Sequence, residues 1–323
     1  MKLIFIGGSS FLAEKILEQL SIIDVDEVCI YTRTQKDWMY NSITEGSTLR
    51  EPKYTIKFFD ALQGNVNDWI EEWSKSDVII NTMAAGVQPK KQAVASDILE
   101  INAFFTIQLI EALTTSGFKG KLLTFGSYFE IGDTSSEALL TEEEFIFSSN
   151  KLPNTYCLSK KTLTQFVYNK HRSHDFEYDH LHLILTNIYG LGENENRLFP
   201  YIVQSVKEGE ELKFSSGLQM RQFTHISDVA NLVIDLATSP LKHHGVYNIT
   251  YDEVFSVKEV ISKMLSQLEA YGYALPKYEF GEISKRDQSM KFLGISSQKA
   301  KKELNWQPKI TLEEGLKEYY ENN

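Results

Sequence analysis

The stretch Lys2–Glu14, KLIFIGGSSFLAE, joins a short apolar run to a turn of glycine and serine, then to the start of an amphipathic segment. Apolar residues without alternation are what a strand covered on both faces requires, so the run predicts a central strand of a parallel sheet. A turn from such a strand into a helix can hold a pyrophosphate if one residue tolerates unusual backbone angles and its neighbours are small. Gly7 meets the first need. Ser10 and Ala13 stand where a glycine fingerprint would have its second and third glycines, and both are small. Amides at the helix start then supply an anion site without any charged side chain. A plain tight turn explains the same letters, and it is the place of the turn after a first strand that favours a nucleotide.

Working outward, EVCIYT, YTIKFFD, DVIINTM, KLLTFGS and HLILTNIYG repeat the character of KLIFIG, while FLAEKILEQL and DILEINAFFTIQLIEALTTSG have helical spacing. The alternation predicts an α/β fold, a Rossmann-like doubly wound parallel sheet. Beyond Gly190 the elements shorten and become rich in Glu, Lys and Tyr, which predicts a smaller second, C-terminal α/β domain. The expected division assigns residues 1–188, with about 222–245, to the dinucleotide-binding domain, and 189–221 with 246–323 to the second.

The chain has 323 residues, 42% of them hydrophobic and 24% charged, which suits one large core or two modest ones. A formal net charge of -11 argues against a nucleic-acid partner, because binding a phosphate backbone needs an excess of Lys and Arg. Any phosphate recognised here needs local cations. MKLIFIGG lacks the basic and long apolar regions of a signal peptide, and no later run reads as a bilayer span, so the expectation is a cytoplasmic protein with no membrane partner. Cys29 and Cys157 form neither a disulfide framework nor a metal spacing. The histidines do not read as ligands, and no metal is expected. His180 and His182 alternate along a strand, and His171 and His174 sit near a helix C-terminus. The TEEE run, Thr141–Glu144, reads as facing solvent.

The segment from Asp97 to Leu113 carries two apolar stripes: Ile98, Ile101, Phe105 and Leu109 form one, and Leu99, Ala103, Ile107 and Ile110 the other. A helix apolar over most of its circumference is covered on both sides. Either one core or a partner subunit can supply the second cover.

YCLSK places Tyr156 and Lys160 four residues apart, on one face of a helix. A free phenol, with a pKa of ~10, is a poor acid-base catalyst at neutral pH, and lowering it by three units takes ~4 kcal/mol in favour of phenolate. One cation at ~4 Å supplies about that much at an effective dielectric near 20. Most pairs at this spacing are solvated helix faces, but this one follows a strand that ends in TFGS.

Taken together, GGSSFLA, TFGSYFEIGD, YCLSK, NIYG, RQFTHISDVA and KKELNWQPKITLEEGL resemble the extended short-chain dehydrogenase/reductases that act on nucleotide sugars, over nearly the whole chain and in the family's order. The resemblance implies Tyr156 as catalytic acid-base, Lys160 as the residue that lowers its pKa and holds the nicotinamide ribose, and Ser127 as the hydroxyl bonded to the reacting oxygen. It implies Asp60 beside adenine and extends the cofactor-binding set to Gly7, Ser9, Ser10, Phe11, Leu12, Ala61, Met83, Ala84 and Ala85. It also gives the smaller C-terminal α/β domain the role of substrate domain. Arg221 and Arg286 match arginines that grip the substrate diphosphate, where a planar guanidinium suits phosphate oxygens. Asn187 and Arg197 fall where the family also contacts the nucleotide-diphosphate sugar.

At the end of the second strand, Thr32 and Arg33 stand where an acidic residue would bond the ribose of NAD. Arg33 would attract a phosphate there and Thr32 could bond it, so the expected cofactor is NADP(H), with NAD(H) the alternative. In the resembling family NADPH commonly drives net reduction. Its dehydratases place an Asp-Glu pair directly after the catalytic hydroxyl, where this chain has Tyr128 and Phe129. The expectation is an NADPH-dependent reductase of a keto group, at C4 of a nucleotide-linked 4-keto-6-deoxy sugar. A 4-epimerase with the same catalytic set is the rival, and a non-catalytic NADP-binding redox sensor the outlier. The resemblance also implies a homodimer through a four-helix bundle, in which the two-striped helix takes part.

Overall fold

The structure is a computed structural model that describes residues 1–20, 25–34, 36, 53–86, 94–134, 136–281 and 290–321. The chain divides into two compact units, one of residues 1–130, 154–184 and 230–247, the other of 131–153, 185–229 and 248–323.

The first unit is built on a seven-stranded sheet. β1 (Lys2–Ile6), β2 (Glu27–Thr32), β3 (Lys53–Phe58), β4 (Val78–Asn81), β5 (Lys121–Ser127) and β6 (Asp179–Leu185) join β11 (Gly245–Ile249) in the order β11-β6-β5-β4-β1-β2-β3. β1 pairs in parallel with both β2 and β4, with Ile4 opposite Cys29 on one side and Ile79 on the other. Leu3, Ile4, Phe5 and Ile6 are all fully buried, which is why this strand alternates in nothing. Each such side chain contributes ~1.5–3 kcal/mol by leaving water. The fold class is that expected, and five of the six expected strands are observed as read, while the sixth run is divided between two strands. β11 has no counterpart in the sequence reading, because GVYNI is short and follows a loop.

Helices cover the sheet. α1 (Phe11–Gln19) is capped by Ser10, whose Oγ accepts from Ala13 N, and buries Leu12, Ala13, Ile16 and Leu17. α2 (Ile70–Trp73) is a single turn whose Trp73 sits fully buried beside Tyr31, Phe59 and Phe105. α3 (Ala95–Thr115) is the two-striped helix, and it is not uniform. Its turn at Glu100–Phe104 is a π-helix, flanked by α-helical Ala95–Leu99 and Phe105–Thr115. The extra residue in that turn shifts the stripes, so Asn102 and Ala103 are buried while Phe104 is exposed. With 21 residues and a mean hydropathy of 1.2, α3 is also long and apolar enough to cross a membrane, contrary to the expectation that no segment would be. Phe105, Leu109, Ile110 and Leu113 are buried within the unit, and a core helix of a soluble protein has the same composition.

The second unit starts earlier than expected. Residues 131–153 were assigned to the nucleotide domain, yet they pack with the C-terminal half. Here α4 (Glu142–Ile146) opens on a capping box of Thr141 and Glu144. Glu142 does not face solvent: it is 8% exposed and its Oε1 accepts from Asn248 N at 2.8 Å. Leu140 bridges to Ile295 and accepts from Asn248 Nδ2 at 3.1 Å. Those bonds hold the segment to this unit.

The HLILTNIYG run is two strands. β6 stays in the main sheet, and β7 (Asn187–Tyr189) pairs in parallel with β10 (Phe223–His225). Short pairs complete the unit: β8 (Leu212–Phe214) with β13 (Tyr278–Phe280), and β9 (Met220–Arg221) with β12 (Phe255–Ser256). Its core joins Tyr189, Phe199, Ile202 and Leu316 to Val260, Met264 and Leu268. Tyr189 comes from β7 and the others from α6 (Leu198–Glu208), α8 (Val257–Tyr271) and α10 (Leu312–Glu321), while α7 (Ile226–Thr238) follows β10 and α9 (Gln298–Glu303) lies before the last loop.

Candidate active site

In a sheet of this kind the crevice for a ligand opens where strand order reverses, here between β1 and β4. Gly7 follows β1 and has φ +85°, a conformation side chains resist. A Cβ on it would lie 2.7 Å from both Met83 N and Met83 Cγ, and one on Gly8 would lie 2.2 Å from Ile30 Cγ2. The turn is drawn in by Gly7 N donating to Tyr31 O at 2.9 Å and by Thr82 Oγ1 donating to Gly7 O at 2.9 Å. Ser9, Ser10 and Phe11 are half-buried above it, and Leu12 belongs to the core. Bare backbone pressed against the β4 loop, leading into a capped helix, fits the pyrophosphate of a dinucleotide. Met83 and Ala85 are half-buried and Ala84 is exposed, on the far side of the turn.

At the end of β2, Arg33 is exposed. Thr32 is not available as expected. It is 2% exposed, its Oγ1 donates to Thr34 O at 2.8 Å, and it accepts from Thr34 N at 3.2 Å. The hydroxyl closes a turn of its own backbone, a local bond that threonines commonly make. Asp60 is half-buried after β3, where its Oδ1 accepts from Leu62 N at 3.0 Å, and Ala61 is buried beside it.

Ser127 ends β5 at 7% exposure. α5 (Thr155–Arg172) begins under an Asn154 cap, its Oδ1 accepting from Cys157 N at 3.0 Å, and ends in Lys170, His171 and Arg172, which complement the helix dipole. That cap fixes the first turn, which carries Tyr156, half-buried, one turn before Lys160. Lys160 is 4% exposed and its Nζ donates to Phe125 O at 2.9 Å. Burial pushes this ammonium down to about 8, and the nearby Glu130 carboxyl pulls the other way.

Two residues of this region escaped the sequence reading. Asn102, at the π-turn of α3, accepts from Ala85 N at 2.8 Å and donates through Nδ2 to Ala85 O and to Ser159 Oγ. Its only signal was a lone amide inside an apolar helix. Glu130, in the turn Tyr128–Ile131, is fully buried, and its Oε1 accepts from Ser127 N at 2.7 Å. It lies within the TFGSYFEIGD motif, but no local pattern marks its carboxyl as buried.

In the second unit Arg221 is 1% exposed on β9, with NH1 donating to Met220 O at 2.8 Å. Arg197 pairs with Glu193 at 3.3 Å and donates to Ile188 O at 3.2 Å, so its guanidinium is already engaged. Glu193 also accepts from Tyr319 OH, and burial raises its carboxyl. Asn187 is half-buried at the start of β7. Arg286 lies outside the described residues.

A dinucleotide turn at the first crossover, with a serine at the end of β5 and a Tyr-Lys pair on the following long helix, defines a nicotinamide-dependent oxidoreductase of the extended short-chain type. Residues 4–250 match the NAD dependent epimerase/dehydratase family, and the chain belongs to it. It is 26% identical over 302 residues to UDP-glucuronate 4-epimerase of Thermodesulfobacterium geofontis, covering 93% of this chain and 87% of that one. It is 22% identical over 166 residues to CDP-abequose synthase of Salmonella typhimurium, a match spanning half of this chain and 54% of that protein. Among solved structures, dTDP-glucose 4,6-dehydratase from Bacillus anthracis in complex with NAD superposes with a TM-score of 0.78 at 19% identity, over 100% of this chain and 97% of that one.

Proposed function

We propose that the enzyme reduces the C4 keto group of a nucleotide-linked 4-keto-6-deoxy sugar with NADPH. The bound nicotinamide supplies hydride. Tyr156 gives its proton to the carbonyl oxygen, Ser127 hydrogen-bonds that oxygen, and the Lys160 ammonium favours the phenolate left behind. Binding both reactants in one orientation accounts for much of the acceleration.

The observation that carries this reading is the turn after Ser127. The dehydratases of the family that the chain resembles carry an Asp-Glu pair directly after the serine to expel a hydroxyl from the sugar, whereas here Tyr128 is fully buried, with Phe129 next. The carboxyl that does occur, on Glu130, is turned inward to the Ser127 amide. Arg33, exposed at the end of β2, supports NADPH over NADH. The buried Arg221 supports a diphosphate-bearing substrate.

The match to a 4-epimerase over 93% of the chain favours a second reading, in which the same residues oxidise and re-reduce C4 with no net turnover of cofactor. Incubation with a 4-keto-6-deoxy sugar nucleotide and either NADPH or NADH separates the two. The proposal expects absorbance of reduced nicotinamide to fall with NADPH, and the preference to weaken by ~10–100-fold in Arg33→Ala. Interconversion of 4-epimers with no change in absorbance would establish the rival.

The exposed Phe104 on α3 and Leu158 on α5, with 45% and 46% exposure on two helices that pack together, support a homodimer through a four-helix bundle. Loss of dimer in Phe104→Glu, measured by light scattering, tests it.

A further inference from the structure

Behind Ser127 lies a buried polar cluster that the chemistry above does not use. The Glu130 carboxyl occupies space left by Gly126, where a Cβ would meet Glu130 Oε1 at 2.9 Å and His182 Nε2 at 2.8 Å. Its Oε1 accepts the Ser127 N–H, while Oε2 makes no full hydrogen bond. From α5 it is faced by Lys160, Lys161 and the hydroxyl of Thr164, and from β6 by His182. A line of contacts continues from there. Thr164 Oγ1 lies 2.9 Å from His182 Nε2, His182 Nδ1 lies 2.8 Å from Thr124 Oγ1, and Thr124 Oγ1 lies 3.0 Å from His180 Nε2. Both imidazoles are 0% exposed, and His180 Nδ1 has no hydrogen-bond partner.

The hydrogens on this line can all point one way. If the Thr164 hydroxyl turns its hydrogen toward Glu130, it must accept from His182 Nε2–H. His182 Nδ1 is then bare and accepts from Thr124, which in turn accepts from His180 Nε2–H. That leaves a lone pair on His180 Nδ1 as the unsatisfied end. In the reverse direction the orphan would be a buried N–H, and orphaned buried donors are the rarer of the two. Burial keeps both imidazoles neutral, well below their ordinary range, so each has one hydrogen to place. The favoured direction aims positive ends at the carboxyl.

We propose that Glu130 is a positioning residue, the buried counter-charge that keeps Lys160 protonated against its own desolvation, and that the line His180–Thr124–His182–Thr164 holds Glu130 as a carboxylate. Burial is the main cause that raises Glu130 to about 7 and lowers Lys160 to about 8, while Thr164, the Ser127 N–H and Lys160 pull Glu130 down and Glu130 pulls Lys160 up, so each charge restrains the other's loss. Removing one charge of such a pair strands the other in a medium that disfavours it. The phenol of Tyr156 would then lose the cation that makes it acidic.

The inference rests on Tyr156 and Lys160 as the working pair, but its test needs no sugar. In protein labelled with 15N at histidine, His180 and His182 are expected as neutral Nε2–H tautomers; Nδ1–H on His182 overturns the proposal. In protein labelled at the lysine ammonium, Lys160 should titrate lower by about one pH unit or more in Glu130→Gln, which retains an acceptor for Ser127 N–H. Glu142→Gln, which removes another buried carboxylate in the other unit, should leave Lys160 unmoved. An unchanged Lys160 in Glu130→Gln refutes the counter-charge, and if that variant does not fold, the tautomers in the unaltered protein decide. A Lys160 that responds as stated in an enzyme that reduces no keto sugar would sink the proposed substrate and leave this inference standing.

Discussion

Asn102 Nδ2 donates to Ser159 Oγ at 3.0 Å, so a π-turn in α3 is fastened to the helix that carries Tyr156 and Lys160. The same amide closes both sides of the Ala85 peptide, at 2.8 Å to its N–H and 2.9 Å to its carbonyl. One side chain therefore sets the β4 loop and the helix of Tyr156 and Lys160 together. π-turns recur at functional sites because the extra residue re-aims a side chain that a regular helix would misplace.

Asn102→Leu should leave the Ala85 N–H and carbonyl without these partners, at a cost of about 2–3 kcal/mol in stability. Cofactor affinity should fall by more than ~10-fold, as the loop beside Gly7 loosens. Urea denaturation and fluorescence titration with NADPH check the two parts. Wild-type affinity in a destabilised variant would separate the clamp from the nucleotide site.

Gly7→Ala should fold less stably by more than ~1 kcal/mol, because alanine resists φ +85° and its Cβ would press on the Met83 backbone. Cofactor binding should be lost with it. A variant of unchanged melting temperature and unchanged binding would mean that the turn can open without consequence.

Tyr156→Phe removes only the phenol hydroxyl. Turnover is expected to fall by at least ~10²–10⁴-fold while NADPH still binds, measured as absorbance change and as fluorescence of bound nicotinamide. Residual activity within a few fold of the unaltered enzyme would contradict the role given to this residue.

Glu142 offers a test by pH. Burial raises its folded pKa above 4.5, so its contribution to stability is present below the unfolded value and lost as pH rises through the folded one. Glu142→Gln keeps an oxygen for Asn248 N and removes that dependence. As pH rises above 4.5 the variant should gain on the unaltered protein, read from urea midpoints. A gap independent of pH would place the carboxyl in a wetter site.

Local patterns carried much of this protein. LIFI, VCIY and LLTF are apolar without alternation because both faces of their strands are covered, and that pattern is written in adjacent letters. Gly7 and the Tyr156-Lys160 spacing were legible for the same reason: a turn and a helix face are properties of a few consecutive residues. The resemblance to the family added Ser127 and the arginines of the second unit.

Tertiary structure decided what depends on residues far apart in the chain. Thr32 looked free to meet a phosphate until its own turn claimed the hydroxyl. Residues 131–153 took their place through Asn248, more than a hundred residues on. Asn102 meets Ala85 and Ser159 only because a bulge rotates it inward, and no periodicity announces one amide's partners. Glu130 carries no mark of burial in its neighbouring letters; the missing side chain of Gly126 and the imidazoles of β6 make it a buried charge. Backbone preference is local and therefore visible in order along the sequence, whereas desolvation and pairing depend on whatever the fold brings alongside.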